Sequence, residues 1–397
     1  MLIDNHYHLS YCTNIHPGEN WERTWESLKS YVPLIKAEVS PDRPFGIGLR
    51  LSNTASEELA QGYHLEHFKK WLEDNDLYVF TMNGFPYGNF HDQRVKEEVH
   101  TPDWTTRERL HYTNRMFDQL AFLLPEGLSG GISTSPISYK HWHNSFEASH
   151  IAFTLGAEHL VQVIIHLRQI EEETGKHLHL DIEPEPDGLM ENSDEVIHFF
   201  ENYLLPMAKV TLEREFGMDG EAAKSMVLRY IMVCYDICHF SLAYEEPGTT
   251  FKKFADYGIQ IGKIQVSAAL KIIFDVENKG KIWEALERFN EPIYLHQVTE
   301  RVGDKVRTYN DLPIVLQDKK DFTELRAHFH VPIFLERFGL LQSTQDQILK
   351  VIAYLKDHDV TDQLEIETYT WDVLPSDLKA PLDRSIIREI QWLQNKL

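Results

Sequence analysis

Acidic, imidazole and amide side chains lie at the ends of four short apolar runs between residues 177 and 368. In chain order these residues are Glu183, Asp236 with His239, Gln265, and Glu367. A carboxylate at the end of an apolar run is costly to bury unless it is paired or bound to a metal. Carboxylate oxygens, imidazole nitrogens and, more weakly, amide oxygens are ligands of divalent cations. The pattern therefore indicates a metal site at which a carboxylate can also take a proton.

Each of these residues also has a simpler interpretation. Glu183 lies just before a proline-rich turn and could be a solvated loop carboxylate. Asp236 and His239 are three residues apart, and the carboxylate could orient the imidazole instead of sharing a cation with it. Gln265 could be a satisfied polar residue inside the strand layer. These alternatives stay open from the sequence alone.

Two pairs of alternating histidines occur outside these runs. His328 and His330 lie on one side of an extended run and suit a second metal or a substrate oxygen, unless the run is a surface strand. His6 and His8 lie on the first β-type run and are similar to the His-x-His motif of metal-dependent hydrolases. A site built on this second pair would use a metal-bound hydroxide, which is a different function class.

A loop rich in glycine, proline and aromatic residues follows the third β-type run, at residues 83–91. Such a composition can wall a sugar-sized pocket, although a well-packed loop would have the same composition. Arg50 could hold a carboxylate, a phosphate or a hydroxyl group, or it could form a structural salt bridge. The predicted substrate-pocket residues are His8, Arg50, Asn83, Tyr87 and His91.

Eight β-type runs recur along the 397 residues, and most are followed by an amphipathic helical pattern. The runs are His6–Tyr11, Phe45–Leu51, Leu77–Met82, Gly131–Ser135, His177–Glu183, Met232–Asp236, Lys263–Val266 and Leu364–Thr368. Such alternation predicts parallel strands with crossover helices, for which a closed (β/α)8 barrel is the natural arrangement. An open, doubly wound sheet is the alternative that the pattern leaves open.

The helical patterns have apolar residues at helical spacing. They are Trp21–Ala37, Glu58–Glu73, Thr105–Leu124, Ser145–Thr174, Ser193–Val210, Thr344–Lys356 and Pro381–Leu397. Thr105 with Glu108, and Thr344 with Gln347, have the spacing of a capping box. Gly175 suits the C-terminal cap of the longest helix.

The interval between the seventh and eighth β-type runs is longer than the others. Two more β-like runs, Ile293–Val298 and Ala327–Phe334, fall inside it. We expect residues 268–338 to form an insertion on the seventh strand–helix loop, as a hairpin across the barrel mouth. The prediction is one domain over residues 1–397, with its catalytic groups at the C-terminal ends of the strands.

The formal net charge of −23 bears mainly on partners. A surface this acidic repels phosphate backbones, so nucleic-acid binding is not expected. No apolar run reaches the roughly 18 residues of a membrane span, and no signal peptide is visible. The three cysteines give no disulfide framework, which suits the cytoplasm. The oligomeric state is left open.

The order of the candidate ligands resembles the xylose-isomerase-like superfamily of sugar isomerases, epimerases and inosose dehydratases. That order is Glu on strand five, Asp-x-x-His on strand six, a ligand on strand seven and Glu on strand eight. Longer blocks resemble the EboE family of metabolite traffic proteins; they are residues 11–19, 45–52, 83–91, 328–334 and 367–372. The resemblance implies a xylose-isomerase-like TIM barrel in a cyclitol or polyol pathway of secondary metabolism.

The resemblance also implies a ligand set for a divalent Mn²⁺, Mg²⁺ or Zn²⁺ ion. The positions that match are Glu183, Asp236, Gln265 and Glu367, with Gln where the superfamily usually has His. Multi-zinc DNA-repair endonucleases of the same fold carry an Asp-x-His late in the chain. This chain has His328-Phe329-His330 there, so a second metal is implied as well.

The chemistry implied is proton transfer next to a metal-chelated hydroxycarbonyl. Glu183 and Glu367, on opposite sides of the substrate, would exchange the proton, while His239 and His330 orient oxygens. The substrate would be a sugar, a sugar phosphate or a cyclitol. The rival hypotheses are the hydrolase built on His6 and His8 and a non-catalytic metabolite-binding protein that kept the barrel pocket.

Overall fold

The computed structural model describes residues 1–86, 99–290, 295–368 and 381–397. Within these ranges the strands are β1 (Leu2–Ile3), β2 (Tyr7–Tyr11), β3 (Phe45–Arg50), β4 (Leu77–Asn83), β5 (Gly130–Thr134), β6 (Leu178–Ile182), β7 (Ile231–Asp236), β8 (Ile261–Val266), β9 (Leu270–Ile273), β10 (Val298–Val302), β11 (Lys305–Tyr309), β12 (Glu324–Ala327), β13 (Arg337–Phe338), β14 (Leu341–Ser343) and β15 (Gln363–Ile366).

The helices of the same ranges are α1 (Trp21–Val39), α2 (Asn53–Leu59), α3 (His64–Asp74), α4 (Arg107–Leu123), α5 (Phe146–Thr174), α6 (Ser193–Phe199), α7 (Leu205–Phe216), α8 (Gly220–Tyr230), α9 (Ile237–Leu242), α10 (Pro247–Asp256), α11 (Lys279–Glu287), α12 (Leu312–Asp318), α13 (Gln345–Leu355) and α14 (Leu382–Gln394). Further helical turns lie at Thr13–Ile15, Lys140–Trp142 and Phe200–Leu204.

Eight parallel strands of the described residues form a barrel, running from β2 through β3 to β8 and then to β15. β15 pairs in parallel with both β8 and β2, so the last barrel strand lies beside the first. The seam between β2 and β3 is closed by a parallel bridge between Cys12 and Gly48. There the Ser10 hydroxyl accepts from the Gly48 amide and donates to the Gly46 carbonyl, each at 2.8 Å. The predicted α/β barrel is confirmed.

Strand β3 shows how alternation divides apolar from polar space in this barrel. Its Phe45, Ile47 and Leu49 are fully buried. The glycine between the last two lies against the barrel interior, where a Cβ atom at Gly48 would lie 1.7 Å from Glu365 Oε1. Glycine is required at this position because a charged side chain from β15 fills the space in front of it.

A second, antiparallel sheet lies between β8 and α13. Its strand order is β11-β10-β12-β9-β14-β13, and every pair in it is antiparallel. The two β-like runs predicted here are misplaced. The first predicted run meets only the start of β10, at Val298; residues 293 and 294 of that run lie outside the described residues. β12 ends at Ala327, where the predicted second run begins. The His328 amide still bonds to the Gln297 carbonyl, but the Val331 amide bonds to the Ala268 carbonyl instead of continuing a strand.

The helices depart from the sequence patterns at their ends. The predicted helix Glu58–Glu73 is two helices, α2 and α3, separated by a turn in which Gly62 has a φ of 57°. Neither predicted capping box forms. Before α4, the Asp103 carboxylate accepts from the Thr105 amide, and Thr105 does not cap the helix. Thr344 Oγ1 accepts from the Ala269 amide instead of capping α13. Helices α8, α9 and α10 were not predicted.

Helix α5 ends as predicted and is the longest helix described. Ser145 caps its start by accepting from the Ala148 amide, and Gly175 ends it with a φ of 72°. By length and composition α5 is the one helix in the described ranges that could cross a membrane. Its apolar stripe, which includes Leu160 and Ile164, is buried against the barrel and the neighbouring helices.

Glu389 on α14 is a buried carboxyl group that joins three parts of the fold. Its Oε1 accepts hydrogen bonds from the Ile333 amide at 3.1 Å and the Thr368 hydroxyl at 2.8 Å. Burial raises the pKa of Glu389 to about 8, although the two hydrogen bonds oppose the shift. The folded protein therefore holds this proton at pH values where the unfolded chain has lost it.

The stability that protonated Glu389 contributes should be complete below the ordinary Glu pKa of about 4.3. It should be lost as the pH rises towards about 8. Glu389→Gln keeps the neutral shape but does not titrate. Between about pH 5 and about pH 8 the wild type should therefore lose on the order of a few kcal/mol relative to this variant. Urea unfolding of both proteins measures the gap, and a gap that does not change with pH contradicts the prediction.

Candidate metal centre

Three carboxylates meet at the C-terminal rim of the barrel. Glu183 follows β6, Asp236 ends β7 and Glu367 follows β15. One carboxylate oxygen of each lies within 4.8 Å of the others, and all three side chains are buried. Their positions are fixed by the strands, because the Glu183 and Glu367 amides continue the ladder by bonding to the carbonyls of Thr134 and Val266.

The Asp-x-x-His spacing is explained by the start of α9. Asp236 is the N-cap residue, and its Oδ1 accepts from the His239 amide at 3.0 Å and from the Ser267 hydroxyl at 2.8 Å. This is the usual reach of a capping side chain to the third residue of a helix. The cap holds one carboxylate oxygen in place and leaves the other, Oδ2, facing the cluster.

The cluster has more negative charge than its surroundings neutralise. Glu183 Oε2 and Asp236 Oδ2 are buried and have no hydrogen-bond partner among the described residues. No Lys or Arg of the described residues lies within ion-pair distance of Glu183, Asp236 or Glu367. Buried carboxylates this close together must bind protons or a cation.

The pKa shifts of the three carboxyl groups agree with this view. Burial, followed by the negative charge of Asp236, raises the pKa of Glu183 well above its ordinary value. Burial and then the charges of Glu183 and Asp236 do the same for Glu367. Burial alone would raise the pKa of Asp236, but the neighbouring imidazoles and the two hydrogen bonds to Oδ1 lower it. Asp236 is therefore the anionic anchor, and the two Glu residues hold protons until a cation displaces them.

Three histidines lie beside the carboxylates, each with Nδ1 directed at an oxygen. His239 Nδ1 contacts the Pro184 carbonyl at 3.1 Å, and His328 Nδ1 contacts Gln297 Oε1 at 2.9 Å. His330 Nδ1 contacts the Glu367 carbonyl at 2.9 Å. Because these oxygens can only accept, the hydrogen-bond network assigns the proton of each neutral ring to Nδ1 and the lone pair to Nε2.

The Nε2 atoms of His239 and His328 lie 3.1 Å apart. Burial lowers the pKa of His239 to about 4 and that of His328 well below its ordinary value, so both rings are neutral. Two lone pairs at this distance repel each other unless a proton or a cation lies between them. Two nitrogens on one tetrahedral Zn²⁺ would be about 3.3 Å apart, given bonds of about 2.0–2.1 Å. The pair therefore has the spacing of a shared metal ion.

Donor atoms of neighbouring groups complete two further sets of possible ligands. Asp236, His239 and His330 place one donor each within 4.8 Å of one another, as do Cys238, His328 and His330. His239, His328 and His330, the residues predicted to bind a second metal or the substrate, thus place three imidazoles next to the carboxylate cluster. Cys238 is an addition that the sequence did not indicate.

Gln265 does not join the ligands, contrary to the prediction. Its Oε1 accepts from the Cys234 thiol at 2.9 Å, and its Nε2 donates to Asn83 Oδ1 at 3.2 Å. It is fully buried inside the strand layer, one position before the end of β8. The oxygen that a metal would need is therefore used within the barrel. His330 provides the imidazole near Asp236 instead.

The predicted pocket residues are scattered. Asn83 lies inside the barrel, where its amide donates to both oxygens of Glu365 at 3.0 and 3.1 Å. Arg50 donates to the carbonyls of Gly18 and Phe85, so it ties loops together and is not presented to a ligand. Tyr87 and His91 lie outside the described residues.

His8 and His6 lie at the opposite rim. His8 is the second residue of β2 and contacts the Tyr78 hydroxyl at 2.9 Å, at the N-terminal end of β4. His6 lies 3.7 Å from Asp359, in the turn that precedes β15. Barrel sites form at C-terminal ends, so His8 is not part of the pocket and the His-x-His hydrolase loses its structural basis.

Several residues that orient the site escaped the sequence analysis. Asn14 donates to Glu367 Oε1 at 2.8 Å, Gln297 orients His328, and Ser267 holds Asp236. Asn14 lies in the helical turn after β2, and that position beyond a strand end was the available signal. Gln297 precedes β10 of the second sheet, and no local pattern indicates that it would contact a barrel loop.

Comparison with known proteins gives the fold. No protein-family model matches the sequence, and no curated protein sequence matches it either. A xylose isomerase-like TIM-barrel protein from Mycobacterium smegmatis, in complex with magnesium, matches at a TM-score of 0.52 and 10% identity, covering 100% of both chains. A D-tagatose 3-epimerase-like protein has a TM-score of 0.48 at 10% identity, covering 98% of this chain and 96% of that one. The IolI protein with a bound zinc atom has a TM-score of 0.46 at 12% identity, covering 98% and 99%. The chain thus has the fold of a xylose isomerase-like TIM barrel.

Proposed function

We propose that this protein is a metal-dependent isomerase or epimerase of a small polyhydroxylated substrate. The observation that carries the proposal is the convergence of Glu183, Asp236 and Glu367 at the barrel mouth, with two buried oxygens left without partners. A binding protein for neutral sugars would not need three buried carboxylates in mutual repulsion. A metal centre does, because the cation converts that repulsion into binding.

The donor set fits a divalent cation. Glu183, Asp236 and Glu367 would hold the first ion, and their oxygens suit Mn²⁺ or Mg²⁺. His239 and His328, with His330 beside them, would hold a second, and imidazole favours Zn²⁺. A bound cation supplies Lewis acidity, which makes the C–H bond next to a chelated carbonyl easier to deprotonate.

The protein's own residues would then move the proton. Glu183 and Glu367 lie on different strands of the rim, so a substrate between them meets a carboxylate on each side. One removes the proton from carbon and the other returns it, on the same or the opposite face. Once a cation has displaced its own proton, a carboxylate can take the substrate proton, and the carboxyl group formed in this way can give it back.

The fold match supports this proposal, since the M. smegmatis barrel was solved with magnesium. We further propose EboE-like family membership and a role in a cytoplasmic secondary-metabolite pathway, on the sequence blocks described above. The substrate class is then a sugar, a sugar phosphate or a cyclitol. Two of these blocks, residues 83–91 and 367–372, lie partly outside the described residues, and the structure describes the other three in full.

Protein purified without chelator should contain at least about one equivalent of divalent metal, and dialysis against a chelator should remove it. Elemental analysis before and after dialysis measures both values. The matched control is His6→Ala, which changes a histidine at the far rim and should keep the full metal content. The absence of stoichiometric metal from the untreated protein would sink the proposal. Loss of metal in the control would instead revive the His-x-His hydrolase.

A further inference from the structure

A cavity of about 500 Å³ opens next to the candidate metal centre. The loops after β6 and β7 form one side, and the hairpin of β10 and β11 from the second sheet forms the other. The cavity reaches His239, so a molecule bound in it would touch the centre. Its volume lies within the range of small-molecule sites, about 300–1,000 Å³.

The cavity walls are acidic. Five carboxylates line them: Glu191, Asp194, Glu195, Glu245 and Asp304. Lysines outside the cavity pair with two of these, since Lys140 lies 2.6 Å from Glu191 and Lys253 lies 2.5 Å from Asp194. No Lys or Arg of the described residues is itself part of the lining. The other three carboxylates, Glu195, Glu245 and Asp304, have no Lys or Arg partner of this kind within the described ranges and make the electrostatic potential inside the cavity negative.

A buried hydroxyl group gives an independent indication that a ligand binds here. Thr299 of β10 lines the cavity and is only 3% exposed, and its Oγ1 has no hydrogen-bond partner among the described residues. Buried hydroxyls are nearly always hydrogen-bonded in folded proteins. An alcohol group of a bound substrate would satisfy it, as donor and as acceptor.

The arginines near the barrel mouth are already engaged by the protein. Arg109 donates to the carbonyls of Pro102 and Gly84, as Arg50 does to two other carbonyls. Arg326 donates to the Ser241 carbonyl and to Glu324. Phosphate recognition uses presented cations or helix N-termini. None of these three side chains is presented in that way.

We propose that the cavity selects a polyhydroxylated substrate that carries a positive charge, such as an amino sugar or an aminocyclitol, and rejects phosphorylated ones. This inference rests on the proposed function, because it takes the cavity as the entrance to the metal centre. Glu195 and Asp304 attract the ammonium group, and Thr299 binds a hydroxyl. The second sheet thus contributes two of the three groups that set specificity.

Glucosamine, glucose and glucose 6-phosphate are suitable probes, because they share a ring and differ in charge. Calorimetric titration of the metal-loaded protein near neutral pH should show glucosamine binding about tenfold or more tighter than glucose. Glucose 6-phosphate should bind more weakly than glucose. Glu195→Gln combined with Asp304→Asn should remove most of the preference for the amine. Thr299→Val should weaken glucose and glucosamine alike.

The matched control removes two acidic groups elsewhere, at the exposed Glu221 and Glu284, by Glu→Gln substitution. It should keep the preference, which separates the cavity from the overall net charge of −23. Equal affinities for the three probes, tighter binding of the phosphate, or no binding of glucosamine contradicts the inference. Metal content of each sample is measured in parallel. A sample that takes up no metal when loaded, yet still prefers glucosamine, would contradict the proposed function and support the cavity inference.

Discussion

Asp236→Asn should reduce the affinity for divalent metal by more than about 100-fold, because substitutions that only orient ligands already cost about 10–100-fold. Asp236 is the one residue common to the carboxylate cluster and to the set with His239 and His330. The substitution removes a negative charge from both and turns an N–H group towards the position of the cation. Any turnover that depends on the metal should fall with it.

The same variant should fold normally. An Asn side chain keeps the oxygen that accepts from the His239 amide and from the Ser267 hydroxyl, so the cap of α9 remains. The pKa of Asp236 is lowered in the folded protein, so removing its charge costs some stability, while Glu183 and Glu367 become easier to ionise. The metal-free variant should therefore unfold cooperatively, close to the midpoint of the metal-free wild type. Loss of metal affinity with a cooperative unfolding transition retained is a combination that a damaged fold does not produce.

Metal titration of the dialysed proteins measures the affinity, and thermal unfolding of the same samples measures the stability. Asp181→Asn is the matched control. Asp181 lies two residues before Glu183 in the chain and is also a fully buried barrel carboxylate. It differs from Asp236 because it pairs with His179 Nδ1, at 2.6 Å. The control should keep its metal affinity. Wild-type affinity in Asp236→Asn would remove the basis for the proposed centre.

The barrel itself was accessible from the sequence for a physical reason. Parallel strands are covered on both faces, so they read as short, nearly continuous apolar runs, and each run predicted here overlaps a barrel strand. The strand ends then placed Glu183, Asp236, His239 and Glu367 correctly at one rim. The rule that supplied these positions also excludes His8, which lies near the N-terminal end of its strand, so that error was avoidable.

Other features depend on distances that a single sequence does not contain. His328 and His330 were expected to share one side of a strand, but the chain leaves the sheet at Ala327 and a turn brings both imidazoles to the site. The carbonyl partners of Arg50 belong to two separate loops. The sequence predicts Gln265 as a ligand because it does not show that Cys234, on the adjacent strand β7, donates to the same amide oxygen.

The sequence analysis also did not predict the ion pair in the polar layer of the barrel, below the metal cluster. Lys263 of β8 and Glu365 of β15 are fully buried and lie 2.6 Å apart, and Asn83 donates to the same carboxylate. Although burial favours the neutral amine, the charge of Glu365 outweighs it and raises the pKa of Lys263. A Lys within one apolar run and a Glu within another, both inside the predicted strands, indicate that each needs the other.

Lys263→Met should destabilise the protein by about 3–5 kcal/mol, because it leaves the Glu365 carboxylate buried without its counter-ion. The variant should also bind metal more weakly. The Lys263 charge opposes the rise in the pKa of Glu183 and of Glu367, so its removal leaves both groups harder to ionise. The midpoint of urea unfolding and a metal titration measure the two effects.

The double variant Lys263→Met with Glu365→Gln separates charge from packing. Gln keeps the size of Glu365 and an oxygen for the Asn83 amide, while no buried charge remains. Removing a buried pair together is often neutral or stabilising, by up to about 1–4 kcal/mol, so the double variant should recover most of the stability. It should also recover metal binding, since Glu365 raises the pKa values that Lys263 lowers. Glu365→Gln alone completes the comparison: if the effects of the two single variants simply add in the double variant, the pair is not coupled. The barrel interior would then play no part in setting the charge state of the metal cluster above it.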